Sequence, residues 1–365
     1  MLVVLYIRCS IKKRKPKASK SIAMMPYYPE KWPGGDRLCF WKEDFDKNGY
    51  EVQILNAWEV EDIQQFFQWS KSKDYAKLYK LYRQILKKRR TQILQALSAD
   101  IIWIQRNAIP VFPFKKPYYE KLLSVFHKNV IYDYYDADYT SNYNLVVKTV
   151  QQADKITTAS LFLKNYFTPH NKKVMFLRYC IEQEQYIRRN ERNDATIRVG
   201  WMGSPENFLQ LFEIKEELVR IEQEFPNVVF CMLCRDAQDI GLKRAELTSF
   251  NDANFNYFEW IGSLDVGLVP FFGESDRFKA KVSKKGLEFM LCGIATLSSP
   301  WVHSDTLVHM QNGMIVQPDA WYSALKEIIE NKELRESFGE KGRTAYLLGH
   351  NKNILISELI AFMEN

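Results

Sequence analysis

Lys281, Lys285 and Glu288 follow one another at spacings of four and three residues. On a helix that spacing puts two ammonium groups and a carboxylate on one face. Such a trio suits a nucleoside diphosphate. The lysines and the positive end of the helix meet the phosphates, and the carboxylate accepts hydrogen bonds from ribose hydroxyls. The same spacing also describes an ordinary solvated Lys/Glu face, so the letters alone leave both readings open.

The surrounding elements decide whether the trio faces anything. Residues 266–270 read as an apolar strand, and a polar loop follows. The pattern then predicts a helix from near Ala280 to Cys292-Gly293, with Leu287, Met290 and Leu291 opposite the polar face, and a second apolar strand at 294–297. Strand, helix, strand in direct succession implies a parallel sheet. Upstream, strands are expected at 198–202 and 228–233, a helix at 207–224, and a loop-rich stretch up to Asn256. In the first half, strands are expected at 21–25, 51–55, 101–105, 130–134, 153–159 and 174–177. Helices fall at 36–48, 60–97, 117–126 and 144–153, and Ser160 is an N-cap candidate. Gly34-Gly35, ahead of the helix at 36, lets backbone N–H groups approach an anion or serves as a plain turn. The region 60–97 carries Tyr75, Tyr79, Tyr82 and the run Lys87-Lys88-Arg89-Arg90. Its face fits lipid headgroups, an acceptor pyrophosphate, or water.

A chain of 365 residues with 46% apolar content supplies two cores. We divide it into a basic arm (1–20), a first domain (21–185), a second domain (186–345) and a closing helix region (346–365) that crosses back to the first. The formal charge of +7 fits an anionic nucleotide, a phospholipid surface or a lipid-linked substrate. The cations are spread out and no nucleic-acid motif is present, which argues against a nucleic-acid partner. No apolar run reaches a membrane span. The charge at residues 8–15 follows the apolar start instead of preceding it, unlike a signal peptide. The expected location is the cytoplasm, with peripheral contact at the inner face of the plasma membrane. Cys231 and Cys234 form a C-x-x-C inside an apolar strand, where they point to opposite faces, unsuited to a redox or zinc pair. The five histidines show no paired spacing, and no metal site is expected.

Ordered motifs carry a resemblance. Asp265-Val266-Gly267-Leu268-Val269-Pro270, then Lys281, Lys285 and Leu287-Glu288-Phe289-Met290, then Gly293-Ile294-Ala295-Thr296-Leu297-Ser298 resemble the donor-binding segment of GT-B glycosyltransferases, in particular the retaining enzymes of family 4. Asn312-Gly313-Met314-Ile315-Val316 resembles the NGLLV of that family, and residues 319–343 resemble its closing helices. Val199-Gly200-Trp201-Met202-Gly203-Ser204 resembles the first strand and glycine loop of its C-terminal domain. Met25-Pro26-Tyr27-Tyr28-Pro29 with Gly34-Gly35 resembles the opening loop of its N-terminal domain. The likeness spans roughly residues 21–345. One departure stands out. The family often carries two glutamates eight residues apart, and here Ala280 stands where the first would be.

The resemblance implies an α/β GT-B fold, with two Rossmann-like domains whose parallel sheets face across a cleft. It implies a metal-independent hexosyltransferase that moves a sugar, with retention, from a nucleoside diphosphate sugar to a hydroxyl acceptor. No cofactor is implied beyond that co-substrate. The basic, aromatic first domain points to a saccharide or lipid-linked saccharide of surface polysaccharide synthesis as that acceptor. Gly203, Ser204, Lys281, Lys285, Glu288, Gly34 and Gly35 are the implied donor contacts, and Lys281 also stabilises the leaving diphosphate. Loops that end the N-terminal strands imply Arg106 and Asp136 as catalytic groups, with Asp136 orienting or deprotonating the acceptor hydroxyl. Asp133 and Asp136 also read, and more readily, as strand-end hydrogen-bond acceptors, and Arg106 equally as a salt-bridge partner of Asp133. Asp136-Ala137-Asp138 also has the letters of a D-x-D metal motif. A non-catalytic nucleotide- or glycan-binding protein of the same fold is the alternative.

Overall fold

The computed structural model describes residues 19–32, 36–111, 116–186, 195–234, 240–300 and 305–365, apart from the side chains of Asp36 and Glu206. Gly34, Gly35 and nearly all of the basic arm (1–18) lie outside the described residues. The chain forms two units. The first ends at Leu177 and takes in Asn353–Asn365, and the second is Arg178–Lys352.

The first unit contains β1 (Ser21–Met25), α1 (Asp36–Cys39), α2 (Lys42–Lys47), β2 (Glu51–Ile54), α3 (Val60–Ser72), α4 (Tyr75–Ala96), β3 (Ile101–Gln105), α5 (Tyr118–Phe126), β4 (Val130–Tyr134), α6 (Tyr139–Gln152), β5 (Lys155–Thr158), α7 (Leu161–Phe167) and β6 (Val174–Phe176). Its strands form one six-stranded sheet in the order β2-β1-β3-β4-β5-β6, and every pairing is parallel. Strands β1, β3, β4 and β5 are buried along their whole length. That is why β1, β3 and β4 read as largely apolar runs without alternation, while β5 is polar apart from Ile156. Edge strand β2 alternates exposed and half-buried residues.

The region 60–97 is two helices. Lys73 takes a left-handed conformation (φ 56°), and the Asp74 carboxylate caps α4 by accepting from the Lys77 amide. Of the four consecutive cations 87–90, Arg89 turns inward and is fully buried. It donates to the Leu55 carbonyl (2.6 Å) and the Pro26 carbonyl (3.1 Å), which fastens α4 to the ends of β1 and β2. Ser160 accepts from the Leu163 amide, as an N-cap does.

The second unit contains β7 (Ile197–Met202), α8 (Pro205–Phe212), α9 (Lys215–Glu224), β8 (Val228–Leu233), β9 (Ala245–Thr248), α10 (Tyr257–Gly262), β10 (Val266–Val269), α11 (Asp276–Lys279), α12 (Lys284–Cys292), β11 (Ala295–Ser298), β12 (Met314–Ile315), α13 (Trp321–Glu330) and α14 (Lys332–Gly349). The last helix, α15 (Lys352–Glu364), falls almost wholly in the first unit. There the Met363 carbonyl accepts from Lys155 Nζ at 2.6 Å. The second sheet is also parallel, in the order β12-β11-β10-β7-β8-β9. Two apolar clusters cover its faces, and β8 feeds them alternately. Phe230 and Met232 enter one cluster and Cys231 and Leu233 the other. Cys234, just past the strand, joins the Phe230 side, so the two cysteines serve opposite cores.

Further expectations need correction. The helix expected at 36–48 is broken into α1 and α2 at Phe40-Trp41. The stretch before Asn256 contains a strand, β9, and α10 follows it directly. The helix expected at 207–224 is broken into α8 and α9 at Glu213-Ile214. The helix expected from Ala280 starts at Lys284. Ala280 closes the short α11 and is completely buried, which pins the chain there, and Ser283 has an extended backbone (φ −91°, ψ 107°). Lys281 is therefore in the connection, off the helix that carries Lys285 and Glu288.

Candidate functional site

In an open parallel sheet, ligands bind beyond the carboxyl ends of the strands, where the strand order reverses. In the second sheet the chain runs β7, β8, β9 outward, then returns to place β10 on the other side of β7. The reversal therefore lies between β7 and β10. Gly203 and Ser204 follow β7, and Pro270 and Phe271 follow β10.

The structure brings Lys285 to this point. A Cβ on Gly203 would lie 3.0 Å from Lys285 Nζ and 2.4 Å from the Trp201 ring. Only glycine leaves room there for both side chains. Lys285 Nζ stands 5.4 Å from the Trp201 ring centroid. Burial and, in smaller measure, Lys281 push its pKa down to about 8, with Glu288 pulling the other way. Helix α12, which carries Lys285, lies close on the sheet because Phe289 packs where a side chain on Gly267 would stand. Its N-cap residue, Ser283, makes no side-chain cap bond. First-turn N–H groups of such a helix remain available to an anion. Ser204 occupies the corresponding N-cap position of α8, again without a side-chain cap bond, and its hydroxyl accepts from Asn207 Nδ2 at 2.9 Å. Lys281 is half-buried, with Nζ 5.9 Å from the Phe271 ring centroid.

Glu288 is only 4% exposed, and its oxygens are engaged. The Tyr186 hydroxyl donates to Oε1 and the Tyr257 hydroxyl to Oε2 at 2.8 Å, while Lys284 Nζ lies 3.9 Å from Oε1. Burial raises the carboxyl above its ordinary value, and the hydroxyls and lysines oppose that shift. Tyr186 ends a segment fixed to the same unit. The Ile181 amide donates to the Tyr346 hydroxyl (3.1 Å), and the Tyr179 carbonyl bonds His350 Nδ1 (2.6 Å). Sequence reasoning missed both tyrosines. Tyr257 had a signal, because Asn256 followed three residues later by Glu259 marks a helix start, and Asn256 Oδ1 accepts from the amides of Phe258 and Glu259. Tyr186 had none.

In the first unit the strand order reverses between β1 and β3. Arg106 follows β3 in a left-handed conformation (φ 61°), unusual for a non-glycine residue and frequent at functional sites. Its guanidinium pairs with Asp136 (2.5 Å) and Asp138 (3.4 Å) and lies 5.1 Å and 5.8 Å from the Tyr27 and Tyr28 ring centroids. Burial alone would lower its pKa, but the two carboxylates outweigh it and raise it. The D-x-D letters are thus an arginine clamp. Among the described residues no group of three or more His, Cys, Asp or Glu comes together as a metal site. The Asp133 carboxylate is not the partner of the Arg106 guanidinium, although the Arg106 amide donates to the Asp133 carbonyl at 2.9 Å. It is fully buried and held by Arg37 through two bonds (2.9 and 3.0 Å) and by the Thr157 hydroxyl (2.7 Å). Arg37 lies 96 residues away in sequence, and no local pattern pointed to it.

Neither protein-family models nor curated protein sequences match the chain. Solved structures do. Sucrose-phosphate synthase from Thermosynechococcus elongatus superposes with a TM-score of 0.67 at 12% identity, over 94% of this chain and 98% of that one. HepE from Anabaena, in complex with UDP and glucose, gives 0.63 at 12% identity, over 94% and 99%. A glycosyltransferase from Rickettsia africae gives 0.63 at 10% identity, over 95% and 98%. At these identities the likeness is one of architecture, and it agrees with the two parallel sheets and their reversal points: the chain has the GT-B fold of glycosyltransferases, built from two Rossmann-like units.

Proposed function

We propose that the protein is a retaining, metal-independent hexosyltransferase that uses a nucleoside diphosphate sugar. The observation that carries this reading is Lys285 Nζ beside Gly203 at the strand-order reversal of the second sheet. A diphosphate bound there meets Lys285, Lys281, the Gly203-Ser204 backbone and the first turn of α12. Breaking the bond from sugar to phosphate builds negative charge on the diphosphate. Fixed cations and N–H groups stabilise that charge, by about 2–4 kcal/mol for each contact of this kind. Ribose hydroxyls engage Glu288 in place of a tyrosine hydroxyl. HepE has been seen with UDP and with UDP-glucose, which supports a uridine nucleotide as the first ligand to test.

Arg106 and Asp136 serve the acceptor side, with Asp136 half-exposed and held by Arg106. The acceptor is a saccharide or lipid-linked saccharide of surface polysaccharide synthesis. Among the described residues no helix is long and apolar enough to cross a membrane. We place the protein in the cytoplasm, in peripheral contact with the inner face of the plasma membrane.

A second reading has its own support. Both oxygens of Glu288 are already bonded, and apolar Ala280 stands where the family that the sequence resembles often has a glutamate. This favours a GT-B protein that binds a nucleotide or glycan without turnover. Thermal-shift titration with UDP, GDP, ADP and their sugars tests the site. A ligand at 100 times its Kd stabilises by about 2.7 kcal/mol. Lys281→Ala and Glu288→Ala are each expected to reduce that shift, and unchanged affinity in both rejects the assignment. Release of UDP from UDP-glucose in the presence of an acceptor separates catalysis from binding.

A further inference from the structure

Helix α4 carries seven Lys and Arg and no Asp or Glu. Arg89 is buried, and the other six are exposed. Two of these have carboxylate partners, Lys77 with Asp74 and Lys88 with Glu59. Against this helix and α3 lies a cavity of about 250 Å³, lined by Phe66, Leu78, Leu81, Tyr82, Ile85 and Val111, with Tyr79 also on its wall and 64% exposed. It is larger than the roughly 150 Å³ apolar cavities that admit benzene. Val111 has a left-handed backbone (φ 49°), an outlier for a β-branched residue, and its amide donates to the Tyr27 hydroxyl at 3.2 Å.

Next to α4 stands α5, joined to it by Arg90 Nε donating to the Tyr119 hydroxyl at 2.8 Å. Tyr118, Leu122 and Val125, at i, i+4 and i+7, are 56%, 43% and 66% exposed. That spacing places them in one open apolar stripe. An exposed apolar stripe beside a cationic helix suits a bilayer surface, with tyrosines at headgroup depth and cations on anionic lipids. Charge also argues against a second copy as the cover, because self-association about this face would bring two α4 helices together.

We propose that the α4–α5 face rests on an anionic bilayer, and that the cavity between α3 and α4 takes one hydrocarbon chain of a phospholipid-like molecule whose phosphate meets Arg83. Arg83 is exposed, and its guanidinium lies 5.9 Å from the ring centroid of Tyr79, which lines the cavity. The proposal rests on the peripheral membrane contact inferred above and uses no part of the nucleotide site, so UDP titration and lipid binding fail separately.

The experiment is sedimentation of the full chain with vesicles of phosphatidylglycerol or of phosphatidylcholine, at low and raised salt. Native mass spectrometry with short-chain phosphatidylglycerol is run alongside. Expected are pelleting with phosphatidylglycerol alone, weakening with salt, and one bound lipid per chain. The double change Arg83→Glu/Lys87→Glu is expected to weaken vesicle binding at least about tenfold, since each site loses an attraction and gains a repulsion. Leu78→Trp fills the cavity and is expected to abolish the single bound lipid while vesicle binding persists. Leu78→Phe answers the same question if the Trp variant does not fold. Equal pelleting with both lipids overturns the proposal, as does vesicle binding indifferent to the charge reversal or a bound lipid that survives both cavity changes. A dimer that Tyr118→Glu dissociates would assign the face to a second copy and overturn it too.

Discussion

Replacing Tyr186 with Phe is expected to tighten nucleotide binding. Its hydroxyl donates to Oε1 of a carboxylate that is 4% exposed, and Tyr257 holds the other oxygen. A ribose that reaches Glu288 displaces at least one of them. Tyr186 is the one that yields, because Tyr257 is built into α10 and its hydroxyl oxygen also lies 3.2 Å from Met202 Sδ. A hydrogen bond to a charged group contributes about 1.5–3 kcal/mol. Removing the hydroxyl takes that contribution from the unliganded protein and leaves the liganded one untouched. At 1.4 kcal/mol per decade, the Kd for UDP falls roughly 10- to 100-fold. The same loss lowers the Tm of the unliganded protein by about 2–4 °C per kcal/mol for a unit of this size. The ring itself stays, with its edge-on contact to Phe258 at a centroid distance of 5.1 Å. Isothermal titration with UDP measures the change, and Tyr257→Phe is the control, with a smaller gain expected. An unchanged Kd in Tyr186→Phe shows that the hydroxyl does not compete with ribose. A weaker Kd shows that it binds the ligand. Either result refutes the reasoning.

Lys285 supplies a pH dependence. Its pKa is depressed to about 8 in the folded protein, against 10.5 ordinarily, so between these values the unfolded chain binds more protons. Unliganded stability therefore rises with pH across that window. Affinity for UDP falls over the same range as the ammonium charge is lost, and Lys285→Arg, which keeps its charge, is expected to flatten the fall in a titration series. Arg37→Met removes the partner of a fully buried carboxylate and is expected to lose about 3–5 kcal/mol in urea unfolding. Arg106→Met, at a pair more exposed than Arg37–Asp133, is expected to lose less stability while lowering any transferase turnover.

Much of the fold was legible from local pattern. Strands buried on both faces are mainly apolar, so 21–25, 101–105, 130–134 and 228–233 announced themselves although one of them contains Asp133. Gly267 and Gly203 mark the two places where a side chain or an ammonium group comes close to the backbone. Helix breaks were less legible. Nothing in the apolar period at 276–292 shows that Ala280 is an anchor, because burial of an alanine depends on what lies above it. The lysine–glutamate trio does not share one helix face as its spacing predicts, since Lys281 precedes the turn that starts α12.

The sequence by itself determined the class of architecture, because hydrophobic period and strand–helix alternation are local properties of the chain. It also named the cations near the second sheet's reversal point. Only the tertiary structure decided which charges are engaged. Arg37 meets Asp133, Arg106 meets Asp136 and Asp138, and two tyrosines meet Glu288, across separations of up to 102 residues. A pairing of that kind depends on where two distant segments are brought by packing, and no spacing in the sequence encodes it.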